Sequence, residues 1–287
     1  MSSIPVAEAD QPLLAVRNLN VSFGSARGVV HAVRGVSFDV GREKLAIVGE
    51  SGSGKSTVGR AMLKLLPGYA KIEADRLQFG DIDLLSAHDA RMRSVRGRQI
   101  SMILQDPKYS LNPVMTVGRQ VAEAYLTHHR GGREAARRRA LEMLDAVRIR
   151  DPETVYDLYP HQLSGGMGQR VMIAMMLAPS PRLVIADEPT SALDVTVRLQ
   201  VLAILDDLVQ QQGLGLIFIT HDLNLVRSFC DRVLIMYAGR VVEELPAARL
   251  DDARHPYSRG LLESLPRPGA RRERLATLSR DPSWLEA

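Results

Sequence analysis

Three short runs carry residue types that could do phosphate chemistry. Gly49 to Thr57 reads Gly-Glu-Ser-Gly-Ser-Gly-Lys-Ser-Thr, and its spacing of Gly49, Gly54, Lys55 and Ser56 fits a loop that cradles phosphates. Glycines at Gly49, Gly52 and Gly54, with Glu50, Ser51 and Ser53 between them, let consecutive backbone N–H groups turn inward around a β-phosphate. Lys55 would then reach the β- and γ-phosphates, the Ser56 hydroxyl would ligate Mg²⁺, and Thr57 would continue the helix start. Leu183 to Thr190 reads Leu-Val-Ile-Ala-Asp-Glu-Pro-Thr. There Asp187 would hold the Mg²⁺ shell and Glu188 would polarise an attacking water. Leu163 to Arg170, Leu-Ser-Gly-Gly-Met-Gly-Gln-Arg, is by itself a glycine-rich turn opening a helix, and it matters because it lies between the other two runs. Gln105 in Met-Ile-Leu-Gln-Asp-Pro and His221 in Ile-Phe-Ile-Thr-His-Asp each end an apolar run, where a polar side chain could reach a γ-phosphate or its water.

The elements that must position these groups are legible around them. Leu13 to Val40 holds stretches of period two, predicted as antiparallel strands. Lys44 to Gly49 reads as a buried strand running into the glycine loop, and Ser56 to Leu66 as the following helix, stopped by Pro67-Gly68. Leu183 to Ala186 and Leu216 to Thr220 are continuous apolar runs, as expected of parallel strands covered on both faces. Between them, Val195 to Gln212 sets Val201, Ile204, Leu205 and Leu208 on one helical stripe and Gly213 ends it. Val233 to Tyr237 and Val241 to Glu244 flank Ala238-Gly239, a hairpin pattern. Leu84 to Gln162 is mostly helical in pattern, and from Pro246 a tail rich in Pro and Arg begins.

Composition narrows the class. The chain has 287 residues, 45% hydrophobic and 24% charged, ordinary for a globular protein with room for one large domain, or for one domain with a subdomain and a tail. No apolar run approaches the ~18 residues needed to span a bilayer, and Met1 to Asp10 lacks the basic start and apolar stretch of a secretion signal. The one cysteine, Cys230, excludes an internal disulfide and a multi-thiolate metal site; with the preceding features this is expected of the reducing cytosol. The net charge of +4 could suggest nucleic acid, but the arginines at Arg91–Arg98, Arg130–Arg139 and Arg267–Arg274 have no stacking aromatics among them. The middle run reads as a solvated helix face, and anionic lipid headgroups would use the same charge equally well.

The order of these motifs resembles the nucleotide-binding subunit of an ATP-binding cassette (ABC) transporter, from Leu13 to about Glu244. The resemblance implies an α/β P-loop NTPase core (RecA-like parallel sheet) with an N-terminal antiparallel β subdomain and an inserted α-helical subdomain at about residues 84–170. An ABC ATP-binding domain over 13–245 and a C-terminal extension over 246–287 follow from it. It makes Gly49 to Thr57 the Walker A loop, Gln105 the Q-loop glutamine beside the metal, Ser164, Gly165 and Gly166 the signature motif, and Asp187 with Glu188 the Walker B end. Ser191-Ala192-Leu193-Asp194 matches the D-loop, so Asp194 joins the nucleotide contacts. His221 is the switch histidine, and Phe23 falls where the family stacks an aromatic on adenine. The implied cofactors are ATP and Mg²⁺. In this family two cassettes pair head to tail, each signature helix capping the γ-phosphate held by the other, and the helical subdomain docks on membrane subunits.

Met167, the Gln105-Asp106-Pro107 and Ser110-Leu111-Asn112-Pro113 runs, Ala192 to Val197 and His255-Pro256-Tyr257 with Leu261-Leu262 resemble the peptide/nickel (oligopeptide-type) importer branch. That branch implies a paralogous second cassette or a second copy of the chain, two integral-membrane permeases, an extracytoplasmic binding protein acting indirectly, and a peripheral position on the cytoplasmic face of the membrane. Gly168 departs from the usual signature and is expected to loosen the helix start by about 0.5–1 kcal/mol. Some branch members carry a cysteine-bearing iron–sulfur segment; with Cys230 alone, no cluster is expected. The competing classes are a soluble ABC ATPase of DNA repair, chromosome maintenance or translation, and an accessory cassette of a soluble complex. The first calls for long coiled coils, paired thiolates or a second Walker A, which this sequence lacks.

Overall fold

Period-two patterning becomes antiparallel sheet where the described chain begins. The computed structural model describes residues 12–25, 28–106, 110–191, 193–265 and Trp284; the readings made on Met1 to Asp10, Pro107, Ala192 and Arg267 to Arg274 lie outside them. The chain forms two compact units, residues 1–87 with 219–287 and residues 88–218.

In the first unit β1 (Leu14–Ser25) and β2 (Gly28–Val40) pair antiparallel, with Leu14 opposite Val40 and Phe23 opposite Val30. Leu14, Val16, Leu19, Val21, Val33, Val36, Phe38 and Val40 are buried, the alternation that fixes one face as core. The register shifts between Val16 and Leu19, where Asn18 sits at φ 52°, as at a bulge. β3 (Lys44–Val48) is continuously apolar from Leu45 to Val48, and all four residues are fully buried.

The loop after β3 opens α1 (Lys55–Met62). The helix is shorter than its sequence pattern suggests, ending four residues before Leu66. Lys64, at φ 50°, takes the left-handed position after the last turn. The Leu65 amide donates to Arg60 O and the Lys64 amide to Ala61 O, closing a Schellman motif. Lys64 Nζ also donates to the Leu85 and Ala87 carbonyls, both at 2.8 Å, so tertiary contacts hold a stop that no glycine marks. β4 (Ala70–Glu73), β5 (Arg76–Phe79) and β6 (Ile82–Asp83) complete this sheet, β4 and β5 on β1 and β6 on β5.

The second unit holds α2 (Asp89–Val95), β7 (Ile100–Ile103), α3 (Val117–Leu126), α4 (Arg133–Ala146), α5 (Pro152–Tyr156), α6 (Gly165–Leu177), β8 (Leu183–Asp187) and α7 (Val195–Gln212). β7 and β8 pair parallel, Ile100 opposite Leu183. α3 packs close to α5 because Gly118 leaves room for the Tyr156 ring. Arg133, Arg137 and Arg138 of α4 are exposed, Arg137 pairing with Glu153 at 2.7 Å, whereas Ala136 and Ala140 are buried. α7 buries the expected stripe of Val201, Ile204, Leu205 and Leu208, and Gly213 ends it at φ 59°.

β9 (Gly215–Thr220) returns the chain to the first unit, followed by α8 (Leu223–Phe229), β10 (Arg232–Tyr237), β11 (Arg240–Pro246) and α9 (Pro256–Glu263). β10 runs parallel to β3 and antiparallel to β11, so this layer is mixed. Its hairpin turns on Ala238 (φ 45°) and Gly239 (φ 86°), both positive as a type I′ turn requires. Arg232 anchors β10: it donates to the Asp39 carbonyl and pairs with Glu43 at 2.6 Å and with Glu244. Among the described residues no helix is long and apolar enough to cross a membrane.

Candidate functional site

The phosphate loop is shaped by what surrounds it. Gly49 (φ 152°) and Gly54 (φ 99°) use backbone conformations that side chains rarely adopt. A Cβ at Gly49 would run into the Met236 carbonyl oxygen and lie 2.8 Å from Ser53 Oγ, and one at Gly54 would meet the Ala32 carbonyl oxygen. The turn after β10 closes on the loop, Gly239 N–H donating to the Ser53 carbonyl at 3.0 Å and the Gly239 carbonyl accepting from Arg34 N–H at 2.8 Å.

Inside the loop Lys55 is only 5% exposed. Its ammonium donates to the carbonyls of Gly49 (2.7 Å) and Glu50 (2.8 Å) and to Ser53 Oγ (3.4 Å). α1 has no side-chain cap at Gly54 and no acidic residue in its first turn, so its leading amides and dipole suit an anion. Loop glycines, an inward ammonium and the Ser56 and Thr57 hydroxyls at the helix start form a donor set that fits nucleotide phosphates.

A cluster of aromatic and apolar side chains lies in the same unit. Phe23 is half-buried, directly opposite Val30 of β2, and meets the Tyr69 ring edge-on at 6.1 Å. Val29, Val30 and Tyr69 are each more than 60% exposed, an apolar surface a purine could cover. Sequence reasoning missed Tyr69 and Val30; the only signal was an aromatic after the Pro67-Gly68 turn. His221 is exposed just after β9, on a turn where Asp222 N–H donates to Thr220 Oγ1 and Asp222 Oδ1 caps α8 through Leu225 N–H, both at 3.1 Å.

The second unit brings Gln105 and Glu188 together: Gln105 Nε2 donates to Glu188 Oε2 at 3.2 Å. Asp187 ends β8 and is 3% exposed, while Glu188 sits at φ 48° in the left-handed region, a strain of order 1–3 kcal/mol that functional sites hold. The turn beyond is tied down. Ser191 N–H and Oγ donate to the Glu188 carbonyl at 3.3 and 3.2 Å, and buried Gln169 of α6 donates to the Pro189 carbonyl at 2.6 Å. Gln169 drew no attention in the sequence beyond its place after the glycines.

Ser164 caps α6, its Oγ accepting from Met167 N–H at 3.3 Å. Gly165 is exposed and a Cβ there would meet nothing, whereas one at Gly166 would lie 2.7 Å from Val197 Cγ1 of α7. Gly165 therefore leaves an open face and Gly166 a packing contact. Gly168 is buried and continues the helix, donating to the Ser164 carbonyl at 2.9 Å. Asp194 caps α7, its Oδ1 accepting from Thr196 and Val197 N–H at 3.0 Å each. Cys230 is buried, and that burial pushes its thiol up to about 12; it behaves as a small apolar side chain.

Fold and motifs together define a nucleotide-binding cassette, and residues 33–191 match the ABC transporter family. The chain belongs to that family: it is an ATP-binding, ATP-hydrolysing cassette with the α/β P-loop fold. It is 48% identical to the oligopeptide transport ATP-binding protein OppD of Bacillus subtilis over 88% of this chain and 72% of that protein. It is 45% identical to the dipeptide transport ATP-binding protein DppD of Escherichia coli over 93% of this chain and 82% of that one. Among solved structures, a dimeric ATP-binding cassette in a post-hydrolysis state bound to ADP and Pi is similar, with a TM-score of 0.71 and 28% identity over 82% of this chain and 98% of that one.

Proposed function

We propose that this chain is the ATP-hydrolysing subunit of an importer for small peptides, lying on the cytoplasmic face of the membrane. The observation carrying this reading is its 45–48% identity, over most of its length, to ATP-binding proteins named for oligopeptide and dipeptide transport. Those names favour a peptide over nickel or a metallophore-type ligand as cargo. The cassette would span 13–245, with a helical subdomain at about 84–170 and the branch's extension at 246–287.

The site residues receive roles on this reading. Loop residues Gly49 to Thr57, with Lys55, bind the phosphates of ATP, and Phe23 stacks on adenine. Ser56, Asp187 and Gln105 offer the oxygen ligands a hard cation such as Mg²⁺ takes. When bound, Mg²⁺ neutralises charge on the phosphates. Glu188 polarises the attacking water while Gln105 orients the Glu188 carboxylate, and His221 faces the γ-phosphate. Ser164, Gly165 and Gly166, with Asp194, serve the nucleotide of a second cassette, either a paralogue or another copy. Two permeases would receive the helical subdomain, and an extracytoplasmic binding protein would choose the cargo.

Affinity purification of a Glu188→Gln variant from detergent-solubilised membranes with ATP, followed by mass spectrometry, tests this. Two multi-span permeases and a second cassette are expected. Recovery with soluble enzymes alone would leave the ATPase standing and remove the importer.

A further inference from the structure

The turn-and-helix after β11 reaches the phosphate loop from behind. Glu243 of β11 accepts from the Arg254 and His255 amides at 2.6 and 3.3 Å, fixing where α9 starts. His255 Nδ1 caps it through Tyr257 N–H at 3.2 Å, with Pro256 in the first turn. Tyr257 is thereby turned inward and fully buried. Its hydroxyl accepts the Glu50 amide proton at 3.0 Å.

That amide belongs to the Gly49–Glu50 peptide, whose carbonyl oxygen, Gly49 O, accepts Lys55 Nζ at 2.7 Å. A peptide is planar, so its N–H and C=O turn together. Tyr257 therefore holds one edge of the plane on which Lys55 rests by the other. The Tyr257 ring is itself braced: the Tyr237 ring packs against it at 4.5 Å with a 40° tilt, and Trp284, the single tryptophan of the chain, lies 5.7 Å from Tyr237 and 5.9 Å from Tyr257. Together Glu50 to Ser53, Tyr237, Ala238 and Tyr257 line a pocket of about 190 Å³ on this flank of the loop.

We propose that Tyr257 is a positioning residue for the phosphate loop, and that α9 with Trp284 braces that loop so that the C-terminal extension sets its affinity for ATP. This rests on reading Gly49 to Thr57 as the loop that binds ATP. Without the Tyr257 hydroxyl the Gly49–Glu50 peptide is free to rotate, and the loop must be ordered by the nucleotide itself. Affinity falls while the groups that act on the γ-phosphate stay as they were.

The test is calorimetric titration of the full chain with ATP, comparing wild type, Tyr257→Phe and Lys55→Ala, with hydrolysis and amide hydrogen exchange measured in parallel. Tyr257→Phe should raise Kd and KM for ATP about three- to tenfold, the range of one lost hydrogen bond. Its kcat at saturating ATP should stay within about twofold. The Glu50 amide should exchange faster while the β3 amides keep their protection, a split that general destabilisation would not give. Unchanged Kd with an equally protected Glu50 amide overturns the brace. Lys55→Ala binding ATP as tightly as wild type would instead bring down the loop reading beneath it. Should Tyr257→Phe not fold, Trp284 emission of the wild type decides. Emission that titrates with the calorimetric Kd, and shifts to the weaker Kd in Lys55→Ala, supports the brace; flat emission while calorimetry registers binding overturns it.

Discussion

Gln105 Nε2 donates to Glu188 Oε2 at 3.2 Å, so one side chain orients the carboxylate proposed as general base. Glu188 sits at φ 48°, in the left-handed region immediately after the end of β8. Glu188→Gln keeps shape and the capacity to hydrogen-bond Gln105 but cannot accept a proton. We expect ATP affinity within about threefold of wild type and a turnover about 10²–10⁴-fold lower, the usual worth of general-base catalysis. Phosphate release measures the second, and ATP-dependent dimerisation by light scattering should appear in the variant. Wild-type turnover would take Glu188 out of the chemistry.

On its proposed role Lys55 would give up two short hydrogen bonds to loop carbonyls to turn to a phosphate, an exchange favourable only because phosphate is charged. Lys55→Ala should weaken ATP binding about 10- to 100-fold, the worth of a charged hydrogen bond. Lys55→Arg should fare little better, since a planar fork cannot enter a cradle fitted to an ammonium. Calorimetry reads both, with thermal unfolding as the control for folding.

What the sequence revealed depended on how far each signal extends along the chain. β3, β8 and β9 stood out because four or more apolar residues in a row leave few alternatives to a buried strand. α7 was bounded to the residue by its stripe and by Gly213. β4, β5 and β6 were not anticipated: two to four residues such as Ala70–Glu73 are too short to show a period. α1 was read too long because its stop lies in Lys64 bonding to distant carbonyls. At the site, Gly49 to Thr57 and Asp187-Glu188 were visible as contiguous motifs. Tyr69, Gln169 and the role of Tyr257 were not, because each acts on residues far away in sequence.

Adjacent glycines of the signature run should separate two functions. A Cβ at Gly166 would lie 2.7 Å from Val197 Cγ1, whereas one at Gly165 has open space. Gly166→Ala should therefore destabilise the chain by about 1–3 kcal/mol, as overpacking does, read by urea unfolding. Gly165→Ala should be neutral or stabilising by up to about 1 kcal/mol, since alanine favours a helix. Yet it should slow ATP turnover, because its methyl fills the open face proposed to meet a second cassette's nucleotide. Equal stability losses at both positions would contradict the packing; a fully active Gly165→Ala would contradict the face.

Cys230 allows a pH prediction with a defined window. It is 8% exposed, and burial raises its thiol from 9.0 to about 12. Below pH 9 the thiol is protonated both folded and unfolded, and it adds no pH dependence. Between 9 and 12 the unfolded chain releases a proton that the folded chain keeps, so stability falls as pH rises. From pH 8 to 10 this one group should cost about 1.4 kcal/mol. Cys230→Ala should lose that much less over the same interval, although it starts lower for the small cavity it leaves. Urea unfolding of both proteins at pH 8 and pH 10 gives the difference directly, with tyrosines and lysines cancelling between them. Labelling of native Cys230 by a thiol reagent at pH 8 should likewise be slow and accelerate only with unfolding. Rapid labelling together with parallel pH profiles would mean the thiol ionises in the folded state as freely as in the open chain.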